Sequence, residues 1–126
     1  MTKKTRPLQT RSKIWIEDTE GNVVFGAGRL KIFKAIKQHG SINSAAKSLQ
    51  MGYRAVWARI TATEQRLGKK LLIKRSGGAA GGGSQLTELA ETLMTQYESV
   101  QKCVENITDE HFKNALGEHL PINNKG

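Results

Sequence analysis

The chain has 126 residues, with 20 Lys and Arg against 11 Asp and Glu, so its formal net charge is +9 and its pI is near 9.9. This length accommodates one small domain with an arm, and the charge excludes an acidic solvating protein and favours a polyanionic partner. The single cysteine, Cys103, excludes an intramolecular disulfide and a Cys-rich zinc site, and we expect no metal and no cofactor. No apolar run approaches the roughly 20 residues of a membrane span, so no membrane partner is expected.

The positive charge is concentrated in the first two thirds of the chain. Residues 1–84 contain 17 basic and 4 acidic side chains, whereas residues 85–126 contain 3 basic and 7 acidic ones. This division predicts that the anion-facing surface lies in the first two thirds of the chain. The alternative is a charge bias that serves only solubility.

A hairpin and a helix are predicted near the N-terminus. Residues 12–18 alternate apolar and polar side chains, residues 20–22 (Glu-Gly-Asn) have turn chemistry, and residues 23–25 are β-prone. From Arg29 the apolar spacing becomes helical, and Gly40 is the expected end of this first helix.

A short helix, a tight turn and a longer helix are predicted next. Ser41 is a suitable N-cap for a helix over residues 42–49, and a second helix is predicted from residue 53 to about residue 67, ended by Gly68. This helix-turn-helix arrangement would place its second helix in the roughly 12 Å wide major groove of DNA. Any helical hairpin has similar apolar spacing, so the outward side chains must distinguish a DNA-binding helix-turn-helix from other helical hairpins. For Trp57, a core position is the alternative. The outward side chains are Tyr53, Arg54, Trp57, Arg59 and Thr61.

A glycine-rich segment follows the second helix. A short strand is predicted at residues 71–74, and residues 85–86 can pair back with it. Residues 76–84 contain five glycines and two alanines, and we expect no regular element within them. Glycines would let the backbone of such a wing approach phosphates or a minor groove closely, and the alternative is a floppy surface loop. The basic side chains that flank the segment are Lys69, Lys70, Lys74 and Arg75.

A long helix is predicted from Thr87, with Glu88 and Glu91 favourable in its first turns. Its apolar side chains follow a strict 3,4 repeat over three heptads. This seam either packs on the chain's own domain or forms a symmetric dimer interface, and we favour the dimer because the preceding domain is small. The predicted interface residues are Leu86, Ala90, Leu93, Tyr97, Val100, Val104 and Ile107.

The stretches GSINSAAKSLQMGYRAVWARI and LLIKRSGGAAGGGSQLT closely resemble the DNA-binding domain of the ModE family of molybdate-responsive transcription regulators. That domain shows a Gly-Ser-(Ile/Leu)-x-x-Ala-Ala opening, a Tyr-(Lys/Arg)-x-x-Trp helix and a GGxxGGGxLT wing, and the similarity covers residues 13–97. Residues 60–71 are also similar to LysR-type regulators. The resemblance implies an α+β, mainly α, fold: a winged helix-turn-helix with an N-terminal β-hairpin, a glycine-rich wing and a long C-terminal dimerisation helix.

The resemblance also implies a DNA-binding surface, in which Arg54 would contact a guanine edge or a phosphate. Two positions depart from the family pattern: Gly52 replaces a serine, and Gln50 replaces a turn glycine, so we expect a less sharp turn. The candidate DNA-binding residues are Ser41, Asn43, Ser44, Tyr53, Arg54, Trp57, Arg59, Thr61, Lys74, Arg75, Gly77, Gly78, Gly81, Gly82 and Gly83.

The function expected from these features is sequence-specific, dimeric regulation of transcription in the cytoplasm, associated with the nucleoid. An enzyme is not expected, because the glycine segment lacks the Gly-Lys-(Ser/Thr) of a P-loop and the histidines lack metal-ligand spacing. A non-sequence-specific nucleoid protein, or the DNA-binding partner of a separate ligand-sensing regulator, are the alternatives. The chain stops where family members would begin an oxyanion-binding domain, so we do not expect it to sense molybdate itself. The predicted organisation is a flexible basic arm (1–11), a winged helix-turn-helix domain (12–86), a dimerisation helix (87–115) and a flexible tail (116–126).

Overall fold

The computed structural model describes residues 6–78 and 81–123, and the side chains of residues 76–78 and 81 are not described. The chain divides into two compact units: a core unit, Trp15–Tyr97, and a terminal unit made of Met1–Ile14 and Glu98–Gly126. None of the helices in the described part of the chain combines the length and the apolar composition of a membrane span. The elements in chain order are β1 (Ile16–Glu17), β2 (Val23–Phe25), α1 (Ala27–His39), α2 (Ile42–Ser48), α3 (Tyr53–Leu67), β3 (Leu72–Gly78), β4 (Gly81–Leu86) and α4 (Glu88–Leu116).

The predicted N-terminal hairpin is confirmed. β1 and β2 pair antiparallel, with Ile16 opposite Phe25. The turn between them is stabilised by Asp18, which accepts the backbone N–H of Asn22 at 2.9 Å and its side-chain Nδ2–H at 3.0 Å. Gly21 has a φ of +89°, a conformation that favours glycine. The hydrogen bonds from Asn22 hold the pKa of the Asp18 carboxyl below its ordinary value.

The first helix begins and ends at glycines. α1 starts at Ala27 rather than at the predicted Arg29, because Gly26 is extended and occupies the N-cap position. It ends as predicted at Gly40, which has a φ of +81° and donates its N–H to the Ile36 carbonyl. The buried face of α1 includes Ile32, and the core of this unit includes Phe25, Ile32, Phe33, Ile36, Ala45, Ala46, Val56, Ile60 and Leu71.

The helix-turn-helix is also confirmed. The Ser41 hydroxyl accepts the Ser44 N–H at 3.0 Å and caps α2, whose buried Ala45 and Ala46 lie at the helix contact. In the turn, Gln50 has a φ of +56°. The chain therefore places a residue with a side chain in the left-handed conformation where the family has glycine, at a steric cost of about 1 kcal/mol.

The wing is more regular than the sequence predicts. β3 and β4 pair antiparallel and extend well into the glycine-rich segment, with Arg75 opposite Gly83 and a further pair at Gly78 and Gly81. The expectation of no regular element in residues 76–84 is therefore wrong. The partner strand supplies backbone hydrogen bonds that compensate for the low strand propensity of glycine. The two alanines of this segment, residues 79 and 80, lie outside the described residues.

The start of α4 packs in the core unit. Thr87 precedes the helix, and its Oγ1 accepts the Ala90 N–H at 3.2 Å. Tyr97 packs edge-on against Phe25, with ring centroids 5.3 Å apart. Leu86, Ala90 and Tyr97 are buried, so for these three side chains the structure shows the alternative, packing within the chain's own unit. The dimer prediction then rests on Leu93, Val100, Val104 and Ile107.

The terminal unit joins residues that the sequence assigns to a flexible arm and a flexible tail. Leu8 forms an isolated parallel bridge with Ile122, and its N–H donates to the Pro121 carbonyl at 2.6 Å. The Thr10 hydroxyl donates to the Asp109 carboxylate at 2.7 Å. Local sequence patterns do not predict these backbone and side-chain hydrogen bonds, because the bonds join residues about 100 positions apart.

Candidate nucleic-acid interface

The N-terminal half of α3 presents the predicted outward side chains. Tyr53 and Trp57 are 49% and 51% exposed, so Trp57 is not a core residue. Arg54 is exposed and Thr61 is half-buried. With about 100° of rotation per helical residue, all four positions lie within an arc of about 100°. The structure therefore brings these four candidates together on one face.

Arg59 does not belong to that face. It is exposed, but its position is about 140° around the helix from Arg54. It lies on the flank of α3 that also carries Arg66. The structure thus separates one sequence-predicted DNA contact from the other four on this helix.

A groove of about 400 Å³ separates the outward face of α3 from the wing. Trp57 and Thr61 line its helix side, and Ile73 and Lys74 line its strand side. Lys74 is exposed, and Ile73 is 55% exposed despite its apolar side chain. The groove therefore combines an aromatic ring, a hydroxyl and a cation at one surface.

Glu64 joins the wing to α3. Its Oε2 accepts the backbone N–H of Leu71 at 2.8 Å and of Leu72 at 3.2 Å, where β3 begins. Lys70 adds a longer contact, with its Nζ 3.8 Å from Oε1. The sequence alone predicts no such role for Glu64, which is the acidic residue of the Ile-x-x-x-Glu-x-x-Leu-Gly pattern by which residues 60–71 resemble LysR-type regulators.

A second set of contacts holds the base of the wing to the turn between α1 and α2. The Gly40 carbonyl accepts the Ser84 N–H at 2.8 Å and the Arg75 Nη2–H at 3.2 Å. A Cβ on Gly83 would lie 2.5 Å from the same carbonyl oxygen. Gly83 is therefore required by close packing, and Arg75 uses one donor within the fold.

The remaining candidates lie on α2 and along the wing. Ser41 caps α2, while Asn43 and Ser44 are exposed in its first turn. Gly82 is exposed on β4. The backbones of Gly77, Gly78 and Gly81 lie in the two wing strands.

One cationic cluster was not predicted from the sequence. Thr63 is fully buried, and its Oγ1 donates to the Val24 carbonyl at 2.7 Å and accepts the Arg29 Nε–H at 2.6 Å. Burial lowers the pKa of the Arg29 guanidinium, and the nearby charges of Arg66 and Arg59 lower it further. The feature of the sequence that could have indicated this cluster is a polar residue, Thr63, at a position of α3 that is buried.

Comparison with protein families decides the identity of this fold. The family of bacterial regulatory helix-turn-helix proteins of the lysR family matches residues 28–91, which include α2, α3 and the wing. The chain belongs to this family. Its matched segment contains the groove and both anchors of the wing, so these features lie in the part shared with LysR-type regulators.

The resemblance to ModE regulators is confirmed over the same region. The chain is 35% identical over 95 residues to the transcriptional regulator ModE of Haemophilus influenzae, covering 75% of this chain and 35% of that protein. It is 31% identical over 84 residues to the molybdenum transport protein ModE of Azotobacter vinelandii, covering 67% of this chain and 31% of that protein. The chain thus spans about a third of the length of these relatives.

Solved structures agree on the winged helix-turn-helix fold. The CbnR_DBD–DNA complex matches with a TM-score of 0.51 and 23% identity, covering 70% of this chain and 95% of that one. Together with the family match and the ModE relatives, this shows that the chain contains a helix-turn-helix domain of the ModE and LysR type.

Proposed function

We propose that the chain regulates transcription by sequence-specific binding to duplex DNA as a dimer, with α3 in the major groove and the wing on the adjoining backbone. The observation that carries this proposal is the exposure of Tyr53, Arg54 and Trp57 on one face of α3, beside a groove with a basic strand. An α-helix with its side chains is about 10–12 Å wide and fits a major groove about 12 Å wide.

Arg54 is the side chain proposed to read a base. It is exposed in the first turn of α3, and within the described part of the chain its guanidinium makes no hydrogen bond. An arginine can donate two hydrogen bonds to the O6 and N7 atoms of guanine, which distinguishes guanine from the other bases.

The wing is proposed to contact the sugar–phosphate backbone. Lys74 is exposed on β3 and faces the groove, while the glycines of both strands leave no side chain between the backbone and a phosphate. Such contacts position the protein on any sequence, so the wing supplies affinity while α3 supplies the choice of sequence.

The test of specificity compares two duplexes, one selected by the protein from a random pool and one of scrambled sequence. At a fixed salt concentration, Arg54→Ala should weaken binding to the selected duplex at least about 10-fold and binding to the scrambled one much less, as loss of a base contact requires. Arg11→Ala, which removes an exposed arginine of the terminal unit, is the charge-matched control. Fluorescence anisotropy reports both affinities, and equal losses on the two duplexes would instead support a nucleoid-type protein.

The dimer is proposed to form through exposed apolar side chains of α4 in the terminal unit. Val100 and Ile107 are 52% and 63% exposed at positions seven residues apart, and Val104 is half-buried between them. Ile107 also lines an apolar groove of about 400 Å³ with Phe112 and Leu116. A second copy of the chain is the occupant that a heptad seam favours, since the same seam on both copies is self-complementary.

Sedimentation of Ile107→Glu tests the dimer. This substitution places a charge in the proposed interface and should give monomers at micromolar concentration that bind the selected duplex poorly. Asn106→Glu, at an exposed neighbouring position outside the heptad repeat, is the matched control and should leave the dimer intact. Monomeric wild-type protein in the same run would contradict the proposal. A substitution at Tyr97 is unsuitable, because its ring is buried in the core unit.

The regulated genes are proposed to include those for molybdenum uptake, by analogy with the Azotobacter vinelandii relative that carries the name molybdenum transport protein. Mapping of binding sites across the host genome tests this proposal. Sites upstream of molybdenum-transport genes are the expected result, and their absence among the occupied promoters would contradict it.

A further inference from the structure

The groove between α3 and the wing has an apolar floor. Ile60 of α3 is buried, Ile42 of α2 and Leu72 of β3 are half-buried, and all three line the groove. The exposed Trp57 lies at its helix side. Phosphates are bound by cations and by N–H and O–H donors, so phosphate contacts alone do not account for this apolar surface. The groove therefore fits a ligand that also has an apolar part.

Three side chains of the wing share one face beside this floor. Leu72 and Lys74 are two residues apart on β3, so their side chains point to the same face of the strand pair. Ser84 lies opposite Lys74 in the register of β3 and β4 and shares that face. All three residues line the groove, and Lys74 is exposed. The wing therefore places an ammonium group and a hydroxyl beside an apolar side chain.

The other polar side chains of the groove are compatible with an anionic ligand. Thr61 of α3 is half-buried and carries a second hydroxyl, and hydroxyls donate hydrogen bonds to phosphate oxygens. Glu64 also lines the groove, but its Oε2 accepts two backbone N–H groups where β3 begins. Its Oε1 lies 3.8 Å from the Lys70 Nζ. The negative charge of Glu64 is therefore compensated within the fold.

A sugar–phosphate unit of DNA combines the two chemical parts that the groove fits. Deoxyribose presents C–H groups at its C2′ atom, and the phosphate attached to the sugar is an anion. The groove has a volume of about 400 Å³, within the range of about 300–1,000 Å³ typical of small-ligand sites. It is also continuous with the proposed base-reading face, because Trp57 and Thr61 belong to both. A strand whose bases lie against α3 therefore brings its own backbone to this groove.

We propose that the groove binds one deoxyribose–phosphate unit, with Trp57 against the C2′ methylene and Lys74 on the phosphate, and that this contact selects deoxyribose over ribose. The inference rests on the proposed function, because it requires DNA bound by α3 and the wing. A ribose would bring its 2′-hydroxyl against an apolar surface, and a hydroxyl that loses water without gaining a partner is unfavourable. The 2′-hydroxyl is the group by which a protein distinguishes RNA from DNA at a given site. Trp57 then acts on the sugar, while Arg54 acts on a base.

A ribonucleotide scan of the selected duplex tests the sugar contact. Each duplex of the scan carries a single ribose in place of one deoxyribose, so every base and every phosphate is retained. At a fixed salt concentration, fluorescence anisotropy should show a loss of affinity of about 5-fold or more at one nucleotide of each half-site, as expected for one buried hydroxyl without a partner. The other positions of the scan should show smaller losses.

Variants of the two exposed aromatic residues of α3 assign this loss to the groove. Trp57→Ala should weaken binding to the all-deoxyribose duplex and should abolish the additional loss at the ribose-sensitive nucleotide. Trp57→Phe, which keeps an apolar ring, should preserve that loss. Tyr53→Ala is the matched control, because Tyr53 is 49% exposed on the same helix but does not line the groove. It should leave the sensitivity to ribose unchanged.

A neutral phosphate tests the second half of the contact. A methylphosphonate next to the ribose-sensitive nucleotide removes one negative charge and should weaken binding of the wild-type protein. Lys74→Gln should bind the methylphosphonate and the unmodified duplex equally, because its charge partner is already lost. Lys74→Gln should also lower the slope of log K against log salt by about 1, as expected for one phosphate contact. A slope that stays at the wild-type value would contradict the assignment of Lys74.

Four outcomes contradict the inference in distinguishable ways. If the wild-type protein prefers the selected duplex but Trp57→Ala loses as much affinity as the wild type at every ribose, the sugar contact is wrong and the regulator function stands. If Trp57→Ala instead abolishes a preference for thymine over uracil at one position, the ring contacts a base methyl group. If salicylate, a small aromatic anion, shifts the NMR signals of Trp57 and Leu72 while no ribose weakens binding, the occupant is a small molecule. If the wild-type protein does not bind duplex DNA, the proposed function fails and the inference fails with it.

Discussion

The two β-hairpins of the core unit are stabilised at opposite ends. The β1–β2 hairpin is held at its turn, where Asp18 accepts three hydrogen bonds from turn residues and Gly21 supplies a positive φ. The β3–β4 wing is held at its base, where Glu64 binds the start of β3 and the Gly40 carbonyl binds Ser84 in the last half of β4. These anchors lie at the base of the wing and do not cover its glycine-rich end, which is the part proposed to contact DNA. The comparison therefore links the position of the stabilising contacts to the proposed function of the wing.

The largest expected effect comes from removing the carboxylate at the base of the wing. Glu64→Ala should lower the free energy of unfolding by about 3 kcal/mol, because two backbone N–H groups lose a charged acceptor in a partly buried setting. Urea unfolding measures the loss, and Glu64→Gln, which keeps a neutral acceptor, should lose less. Glu20→Ala, which removes an exposed carboxylate from the turn of the first hairpin, is the control. Similar losses for Glu64→Ala and Glu20→Ala would show that Glu64 does not anchor the wing.

The second prediction concerns the close approach at Gly83. Gly83→Ala should destabilise the protein by about 2 kcal/mol, since the new Cβ would lie 2.5 Å from the Gly40 carbonyl oxygen and the wing must shift. Gly28→Ala is the matched control. Nothing lies within 4 Å of a Cβ at Gly28, so this helical substitution should stabilise α1 by about 0.5–1 kcal/mol. Faster amide exchange at Ser84 in Gly83→Ala would locate the damage at the base of the wing, and unchanged exchange would contradict this explanation.

A smaller effect, dependent on pH, is expected at the turn of the first hairpin. The pKa of Asp18 is lowered in the folded state, so its stabilising contribution is present above the ordinary pKa of aspartate and is lost as the pH falls through the lowered folded pKa. Asp18→Asn should retain the turn and abolish this part of the acid dependence. Measurement of the Asp18 carboxyl shift against pH by NMR checks the direction. A folded pKa at or above the ordinary value would refute it.

The smallest effect is expected for Lys70. Its contact with Glu64 is 3.8 Å long and its side chain is 80% exposed, so Lys70→Ala should change the free energy of unfolding by less than about 0.5 kcal/mol. A much smaller loss for Lys70→Ala than for Glu64→Ala would show that the base of the wing depends on backbone hydrogen bonds to Glu64. A double-mutant cycle with a coupling near the full effect of Glu64→Ala would show that the ion pair dominates instead.

Much of the fold could be predicted because its signals are local. The ends of α1 and α3 at Gly40 and Gly68, and the cap of α2 at Ser41, depend on residues within one turn of each position. The helical period places Tyr53, Arg54 and Trp57 on one face, whereas the exposure of Trp57 was decided by the structure. The same period separates Arg59 from them, so that part of the candidate site could have been corrected from the sequence.

The amino-acid sequence by itself determined the helix-turn-helix, the existence of the wing and the cationic character of the first two thirds of the chain, because capping, periodicity and charge act over a few residues. Only the tertiary structure decided which residues of these patterns contact residues of another element. Glu64 reaches the wing, Arg29 of α1 donates a hydrogen bond to Thr63 of α3, and Ala90 and Tyr97 are buried in the core unit. Each of these depends on a partner from another element. Such partners are set by packing, which local propensity does not encode.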